Sequence, residues 1–230
     1  DLLYFVEGQG HQVGVVDLAA GELTILAGVQ AITDGFNEDE VAADEAEFDA
    51  LSGIAVANDG TIYVADSGSN MIRAITADDR VITVAGADEE GFPIAADGED
   101  DGNRLDSPQK LLLHEGVLYV ADSGRHRIAS VDTATGTITN VVGATDVRGY
   151  LGDGGPPEDA QLAGPYGFAF NSAGRMIIAD TGNDALRAVF PDGTIDTIAG
   201  RGATGFDGDT EASEGASLRS PRDVVYAPDG

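Results

Sequence analysis

An internal repeat constrains the fold of this chain more than any other feature of its sequence. Three stretches align by eye: GTIYVADSGSNMIRAIT at 60–76, GVLYVADSGRHRIASVD at 116–132 and GRMIIADTGNDALRAVF at 174–190. Their aspartates, Asp66, Asp122 and Asp180, are 56 and 58 residues apart, and a weaker copy at 1–17 has Glu7 in that place. Such self-similarity predicts an array of similar structural units.

Each copy predicts four short strands. A Pro- or Gly-led apolar run precedes the copy, and an apolar run follows it and ends in glycine, at Gly28, Gly86, Gly143 or Gly200. Apolar residues alternate, and DSG, DTG and DG turns separate the runs, which favours strands over helices. Four-stranded units that repeat around an axis form a β-propeller. The sequence therefore predicts an all-β propeller of four blades with four antiparallel strands each.

The two ends of the chain complement each other within this repeat. The chain ends on SPRDVVYAPDG, the element that precedes a copy, and it begins with the copy that lacks this element. The predicted blades are blade 1 (218–230 plus 1–28), blade 2 (51–86), blade 3 (107–143) and blade 4 (164–200). Closing blade 1 with strands from both termini leaves no open sheet edge.

The repeat pattern resembles the NHL-repeat family, with the best matches at Gly53–Arg73 and Pro165–Arg187. The resemblance covers the whole chain and implies a propeller. Propellers of this family are more often six-bladed, so a fragment of a six-bladed NHL propeller is the alternative to a closed four-bladed ring. The family spans RNA-binding domains, extracellular modules, lyases and redox-linked proteins, so the resemblance leaves the function open.

Acidic inter-blade loops are predicted at 29–50, 87–106, 144–163 and 201–217. All four share an early aromatic residue and a late apolar one. The aromatic residues are Phe36, Phe92, Tyr150 and Phe206, and the late apolar residues are Phe48, Leu105, Leu162 and Leu218. Disordered linkers keep no such pair. We therefore predict that both residues anchor each loop against its blade by apolar burial.

The charge of the chain excludes several functions. It has 41 acidic and 12 basic residues, for a net charge of −29. Such a surface repels nucleic acids and anionic membranes, and it favours a cationic protein or small ligand as partner. A solvated, salt-adapted surface is the alternative. The chain has no cysteine, which excludes disulfides and thiolate chemistry. No apolar run reaches the roughly 20 residues of a membrane-spanning helix, so we predict no membrane insertion.

Ligand-binding candidates lie where the innermost strands begin, at the predicted mouth of the propeller channel. These residues are Gln109, Lys110, Tyr166, Arg222 and Asp223. Lys110 and Asp223 stand in a ring where the other two blades have glycine, and they fall in opposite blades. They are expected either to pair across a narrow channel or to hold a ligand. No nucleophile elbow, phosphate loop or HExxH pattern is present, so no catalytic residue is assigned.

Metal binding is a further hypothesis. The candidate ligands are Asp39, Asp97, Asp153 and Asp209 of the acidic loops, with His11 and His126 of the repeat. Clustered carboxylates suit Ca²⁺, and two histidines from different blades suit a divalent transition metal. The two loops with the highest density of carboxylates, 35–51 and 91–108, lack the spacing of an EF-hand. The alternative is structural: aspartates of such turns accept backbone N–H bonds within their own turn.

These observations favour a non-catalytic binding or scaffold module with a strongly acidic loop face. We expect a monomer that is secreted, periplasmic or at the cell surface, with Ca²⁺ as the cofactor to test. The alternative function is a metal-dependent hydrolase or lyase with its site at the axial mouth of the propeller.

Overall fold

Short antiparallel strands dominate the regular structure. A computed structural model describes residues 1–9, 11–29, 40–86, 103–200 and 216–227. These ranges contain single-turn 3₁₀ helices at Ala43–Glu45, Pro157–Asp159 and Thr181–Asn183. The strands are β1 (Leu2–Glu7), β2 (Gln12–Asp17), β3 (Glu22–Ala27), β4 (Val41–Ala42), β5 (Leu51–Val56), β6 (Ile62–Asp66), β7 (Met71–Ile75), β8 (Arg80–Ala85), β9 (Pro108–His114), β10 (Val117–Asp122), β11 (Arg127–Val131), β12 (Ile138–Val142), β13 (Gly167–Phe170), β14 (Met176–Asp180), β15 (Ala185–Val189) and β16 (Ile195–Ala199).

The strands form sheets that follow the predicted repeat. Their orders are β1-β2-β3, β4-β8-β7-β6-β5, β12-β11-β10-β9 and β13-β14-β15-β16. Equivalent residues close the same hairpin in different blades, with Asp66 opposite Met71 and Asp180 opposite Ala185. The predicted all-β propeller class is confirmed, because each blade-sized repeat forms one antiparallel sheet.

Two sheets depart from the predicted four strands. The first has three, and the described residues 216–227 carry no strand, so the closure of blade 1 by 218–230 stays a prediction. The second has five, because β4, from the predicted loop 29–50, pairs with β8 through Val41 and Val81. An edge strand offers unpaired N–H and C=O groups, which a neighbouring extended segment can satisfy. A two-residue strand leaves no periodic pattern to detect in the sequence.

The chain divides into two compact units. Unit 1 comprises Asp1–Leu118 and Val131–Ile138, and unit 2 comprises Tyr119–Ser130 and Thr139–Gly230. In unit 1, one apolar cluster joins Val13 of blade 1, Phe48 of the loop and Val64 of blade 2. In unit 2, Phe168 and Ile178 are fully buried in blade 4. Each unit therefore has its own apolar core.

The late apolar residues of the loops are anchors, as predicted. Phe48, Leu105 and Leu162 are at most 2% exposed, and Leu218 is half-buried. Among the early aromatic residues, Tyr150 is half-buried beneath the guanidinium of Arg187, at 5.4 Å from its ring centre. The other three, Phe36, Phe92 and Phe206, lie outside the described residues.

The glycine that ends each outer strand permits a close backbone approach. Gly86 and Gly200 have φ values of 91° and 84°, in the left-handed region that favours glycine. A Cβ atom on Gly86 would lie 2.4 Å from the carbonyl oxygen of Asn70, and one on Gly200 would lie 2.2 Å from that of Asp184. The outer strand thus ends directly against the repeated turn.

Candidate functional site

The D-(S/T)-G turns of blades 2 and 4 each hold the end of the loop that precedes the blade. In blade 2, the N–H of Asp49 donates to Asp66 Oδ1 at 2.7 Å, and the N–H of Gly68 donates to the Asp49 carbonyl at 2.8 Å. Blade 4 repeats both bonds, at 2.7 and 2.8 Å, between Asp180, Gly182 and Ala163. These aspartates accept backbone N–H bonds as expected, but the donors lie in the preceding loop and not in the aspartates' own turn.

The hydroxyl residue of the turn reaches the start of the next repeat. Ser67 donates to the carbonyl of Pro108, Ser123 to that of Pro165, and Thr181 to that of Pro221 at 2.7 Å. The three acceptors are the prolines that open the predicted innermost strands. The turn therefore links consecutive repeats.

The fourth residue after each aspartate adds a second link. Asn70 Oδ1 accepts the N–H of Ser107 at 2.7 Å, His126 Nδ1 that of Gly164 at 3.1 Å, and Asp184 Oδ1 that of Ser220 at 2.6 Å. All three acceptors have φ between 53° and 59°, which Asn, Asp and His adopt more readily than most residues. We call the hydroxyl link and this link together the inter-blade clamp. His126, a predicted metal ligand, uses its Nδ1 atom in the clamp.

The clamp is incomplete in blade 1. His11 occupies the same repeat position with a φ of 54°, but its Nδ1 atom is buried without a hydrogen-bond partner. Gly8 stands where the other blades have Ser or Thr, so the hydroxyl link is missing. A Cβ atom on Gly8 would lie 2.8 Å from the carbonyl oxygen of Leu51, so the backbones approach too closely for a side chain. His11 has the position of a clamp residue without its bond.

Asp153, another predicted metal ligand, is the ion-pair partner of a buried arginine. Arg187 is 0% exposed, and its Nη2 atom lies 2.6 Å from Asp153 Oδ1. Its Nη1 atom lies 3.6 Å from Asp180 Oδ2 and donates to the carbonyl of Gln161 at 3.2 Å. The loop aspartate therefore neutralises an arginine that the blade has buried. Two of the three DSG or DTG aspartates, Asp66 and Asp180, are followed seven residues later by an arginine, Arg73 or Arg187, and this spacing is the sequence signal for the pairing.

Blade 3 reaches the same result from a different position. It has Ala129 where blades 2 and 4 have arginine, and Arg127 instead contacts Asp122 Oδ2 through Nε at 2.8 Å. Arg125, only 1% exposed, makes two bonds to Asp146, at 3.1 and 2.8 Å. Buried arginines paired with aspartates thus recur in the described blades.

Burial changes the acidity of two of these aspartates. It raises the pKa of Asp66 to about 7, against the Asp49 N–H bond, the Arg73 charge and the Ser69 hydroxyl, which lower it. Burial also raises the pKa of Asp180, opposed by bonds from Ala163 and Asn183 and by Arg187. Removal of a carboxylate from water disfavours its charged form. Asp66 is therefore half-protonated near neutral pH.

The structure brings together only some of the predicted mouth residues. In unit 2, the Arg222 guanidinium lies 5.1 Å from the ring centre of Tyr166. Asp223 accepts the N–H of Val224 at 2.9 Å and lies against Gly167. In unit 1, Gln109 Nε2 donates to the carbonyl of Ser107 at 3.3 Å, and Lys110 is half-buried. The pairing of Lys110 with Asp223 stays a prediction.

The remaining metal candidates, Asp39, Asp97 and Asp209, lie outside the described residues. Within those residues, no group of three or more His, Asp or Glu side chains is placed to hold a metal ion. No helix in the described ranges has the length and hydropathy to cross a membrane.

Sequence comparisons identify similar repeats in known proteins. A family model described as the Teneurin NHL domain matches residues 3–76. NHL repeat-containing protein 2 of Bos taurus is 27% identical over 164 residues, covering 66% of this chain and 22% of that protein. Protein SUPPRESSOR OF QUENCHING 1, chloroplastic, of Arabidopsis thaliana is 33% identical over 151 residues, covering 60% of this chain and 14% of that protein. The chain thus spans less than a third of these curated relatives.

Solved structures with a similar fold are more distant in sequence. An auxiliary nutrient binding protein from Bacteroides thetaiotaomicron aligns with a TM-score of 0.62 at 16% identity, covering 99% of this chain and 61% of that one. Virginiamycin B lyase from Staphylococcus aureus aligns with a TM-score of 0.53 at 12% identity, covering 86% and 51%. At these identities the similarity shows the fold alone.

Proposed function

Because this chain is similar to proteins of the NHL-repeat family, we propose that it is a non-catalytic binding or scaffold propeller whose acidic surface meets a cationic partner. The distribution of charge carries this proposal. In the described part of the chain, the buried charged side chains are Asp66, Asp122, Asp180 and Asp184 with Arg73, Arg125, Arg127 and Arg187. Burial therefore removes equal numbers of each sign. The excess of 29 negative charges stays with the other residues.

Hairpin turns hold several of the exposed acids in a fixed orientation. Asp59 accepts the N–H of Thr61 at 3.0 Å, which lowers the pKa of Asp59. Asp78 accepts the hydroxyl of Thr76 at 2.7 Å, which lowers the pKa of Asp78. Asp192 accepts the Thr194 hydroxyl at 2.8 Å. A surface of fixed negative charge raises the local concentration of cations and the association rate of basic partners.

The groups that a catalytic hypothesis would use are engaged in holding the fold. His126 Nδ1 accepts a backbone N–H, and Asp153 pairs with Arg187. These contacts support a binding role over the metal-dependent hydrolase or lyase.

Binding of a basic protein at two salt concentrations tests the proposal. We expect calorimetric titration with a basic protein such as lysozyme to show binding at about 20 mM salt, and weaker binding at about 200 mM because salt screens exposed charges. An acidic protein of similar size is the control. Absence of binding at low salt would contradict the proposal. A Ca²⁺ titration in the same buffers tests the calcium prediction.

We also propose a monomer located outside the cytoplasm, at the cell surface, in the periplasm or secreted. Fractionation of the source cells tests the location, and sedimentation equilibrium tests the oligomeric state.

A further inference from the structure

One face of the β1-β2-β3 sheet exposes a continuous apolar surface. Residues that lie opposite each other on neighbouring strands share a face of the sheet. Leu3, Val16 and Leu23 therefore form one row across the sheet, and Phe5, Gly14 and Ile25 form the next. Leu3 is 54% exposed, Leu23 is 60% exposed and Ile25 is 41% exposed. We call this surface the open face, and its side chains are those of Leu3, Phe5, Val16, Leu23 and Ile25.

The row equivalent to Leu3, Val16 and Leu23 is buried in blade 2. It consists of Ile62, Ile75 and Val81, which are at most 6% exposed. The opposite face of blade 1 covers that row, because Tyr4, Val6 and Leu26 pack against the same apolar cluster. In the part of the chain that the structure describes, the open face has no such cover. A concentration of exposed apolar side chains marks an interaction surface.

The second row of the open face differs from its equivalent in blade 4. That row has Arg187 at its centre, and this buried arginine is paired with Asp153 of the preceding loop. Blade 1 has Gly14 at the same position, and the ring of Phe5 takes the space, since a Cβ atom on Gly14 would lie 2.4 Å from Phe5 Cζ. A loop aspartate like Asp153 would meet no cation here. An ordinary blade with its acidic loop is therefore a poor match for the open face.

The border of the open face is acidic. Residues 2–29 contain Glu7, Asp17 and Glu22 but no lysine or arginine. Glu7 continues the alternation of Leu3 and Phe5 along β1, and both Glu7 and Glu22 are exposed. A second copy of this chain would bring the same charges together, and like charges across an interface disfavour association. Charge complementarity therefore selects a cationic occupant.

The dimensions of the open face fit a single helix. Each of its three strands has six residues, which extend over about 20 Å, and the outer two strands lie about 10 Å apart. An α-helix of about 13 residues is about 20 Å long and about 10 Å wide. One helix laid along the strands therefore covers both rows.

We propose that the open face docks a basic amphipathic helix of a protein partner. The aliphatic side of the helix covers the two rows, as helices cover sheets in layered folds. Lysine or arginine stems lie along the apolar border, and their charged ends reach Glu7 and Glu22. This inference rests on the proposed function and names its site and partner class.

A fluorescent peptide of about 14 residues, with leucine and lysine placed at helical periodicity, is the probe. Fluorescence anisotropy measures its binding to the full chain. Peptides with glutamate in place of lysine, or serine in place of leucine, test the charge and the apolar contribution separately. We expect the leucine–lysine peptide to bind most tightly, and its affinity to fall as salt rises from about 20 to 200 mM.

Variants of the open face test the site directly. Leu3→Thr with Leu23→Thr keeps residues that suit strands, and we expect binding to weaken about tenfold through lost apolar contact. Glu7→Gln with Glu22→Gln removes two charges, and we expect a loss of about threefold at low salt. The matched controls in unit 2 are Leu151→Thr, at a leucine that is 69% exposed, and Glu158→Gln with Asp192→Asn. We expect both controls to stay within about twofold of the wild type.

A single introduced thiol measures access to the open face, because the chain has no cysteine. The rate at which iodoacetamide modifies Leu23→Cys is followed with and without the peptide. At a peptide concentration of about ten times its Kd, we expect this rate to fall about tenfold, since about a tenth of the sites stay free. Leu151→Cys is the control, and its rate is expected to stay unchanged.

Each result has a distinct meaning. If the open-face variants bind the peptide like the wild type while binding stays salt-sensitive, the site assignment is wrong and the proposed function stands. If the wild type binds neither the peptide nor a basic protein at low salt, the proposed function fails as well. If Leu23→Cys without peptide reacts much more slowly than Leu151→Cys, the open face is already covered and the docking proposal is overturned, whether by a second copy, seen as a dimer in sedimentation, or by another segment of the chain.

Discussion

Blades 2 and 4 each have a buried aspartate followed seven residues later by a buried arginine, yet the two aspartates differ in their hydrogen bonds. In blade 4, Asp180 Oδ2 accepts a bond from Asn183 Nδ2 at 2.7 Å and faces Arg187. In blade 2, Ser69 replaces that asparagine, and Asp66 Oδ2 is buried without a hydrogen-bond partner. The negative charge of Asp49, where blade 4 has Ala163, raises the pKa of Asp66 further. Two neighbouring residues therefore decide how each blade treats an otherwise shared carboxylate.

The raised pKa of Asp66 makes stability depend on pH in a defined direction. In the unfolded chain this carboxyl titrates near 3.8, and in the folded protein near 7. Between these values the folded state binds more protons than the unfolded state, so the free energy of unfolding falls as pH rises. The full destabilisation is present above about pH 7, and it is absent below about pH 4.

Loss of the buried arginine in blade 4 is the largest expected effect. Arg187→Met leaves the buried Asp180 without its cation, and we expect the free energy of unfolding to fall by about 3–5 kcal/mol. Urea denaturation at pH 7 measures this change. Arg175→Met, at an exposed arginine over the Phe190 ring, is the control and is expected to cost less than about 1 kcal/mol. If Arg73→Met lowers the free energy of unfolding by the same amount, the two arginines contribute equally and the blades differ only in their aspartates.

Removing the charge of Asp66 is expected to abolish much of the pH dependence of the free energy of unfolding. Asp66→Asn keeps an oxygen acceptor for the Asp49 N–H but cannot ionise. Relative to wild type, we expect the variant to gain on the order of 3 kcal/mol between pH 4 and pH 8. Denaturation series across that range measure the difference, with Asp192→Asn as an exposed control. A difference between variant and wild type that stays constant with pH would contradict the assigned pKa.

Exchanging the neighbours of the two aspartates tests what separates the blades. Ser69→Asn exchanges a hydroxyl that already lowers the Asp66 pKa for the amide donor that bonds the second carboxylate oxygen in blade 4. We expect the Asp66 pKa to fall by up to about one unit, worth up to about 1.4 kcal/mol at pH 8. The reverse change, Asn183→Ser, is expected to raise the Asp180 pKa. Carbon-detected NMR titration of the side-chain carboxyls follows both groups. Unchanged pKa values in both variants would show that the asparagine is not the cause.

Substitutions in the outer hairpin turns of blades 2 and 4 are expected to change stability the least. Asp79 has a φ of 58°, and Gly193 of blade 4 has the same turn position with a φ of 83°. Asp79→Gly relieves the left-handed strain, and we expect a gain of about 0.5–1 kcal/mol. Thermal unfolding measures it, and Gly193→Asp is expected to show a matching loss. A loss of stability in Asp79→Gly would mean that the Asp79 side chain contributes more than its backbone costs.

The sequence was sufficient to predict the repeat and the buried apolar residues of the loops. It did not predict the hydrogen-bond and ion-pair partners of the polar residues. The pattern of apolar residues was sufficient to predict that Phe48, Leu105 and Leu162 are buried. The repeat also placed Asn70 and His126 at equivalent positions. The N–H groups that these two side chains accept belong to residues 37 and 38 positions later in the chain, which the repeat pattern does not indicate. His126 and Asn70 both belong to residue types that adopt left-handed backbone in turns. Their shared repeat position therefore favours a structural role in the turn over a metal site.

Asp153 shows the same limit. It was selected as a metal ligand because its loop is acidic, while its partner, Arg187, lies 34 residues away on another element. Composition indicates that a loop is negative, but it does not indicate which of its acids faces a buried cation. The two-residue strand β4 was missed for a related reason, since its pairing depends on the free edge of β8.

The sequence by itself determined the repeat, the antiparallel strand order and the sign of the surface charge, because these depend on local periodicity and composition. Only the tertiary structure decided that Asp153 neutralises Arg187 and that Asp66 holds a proton near pH 7. Those properties depend on which distant residues meet and which side chains lose water when the chain folds.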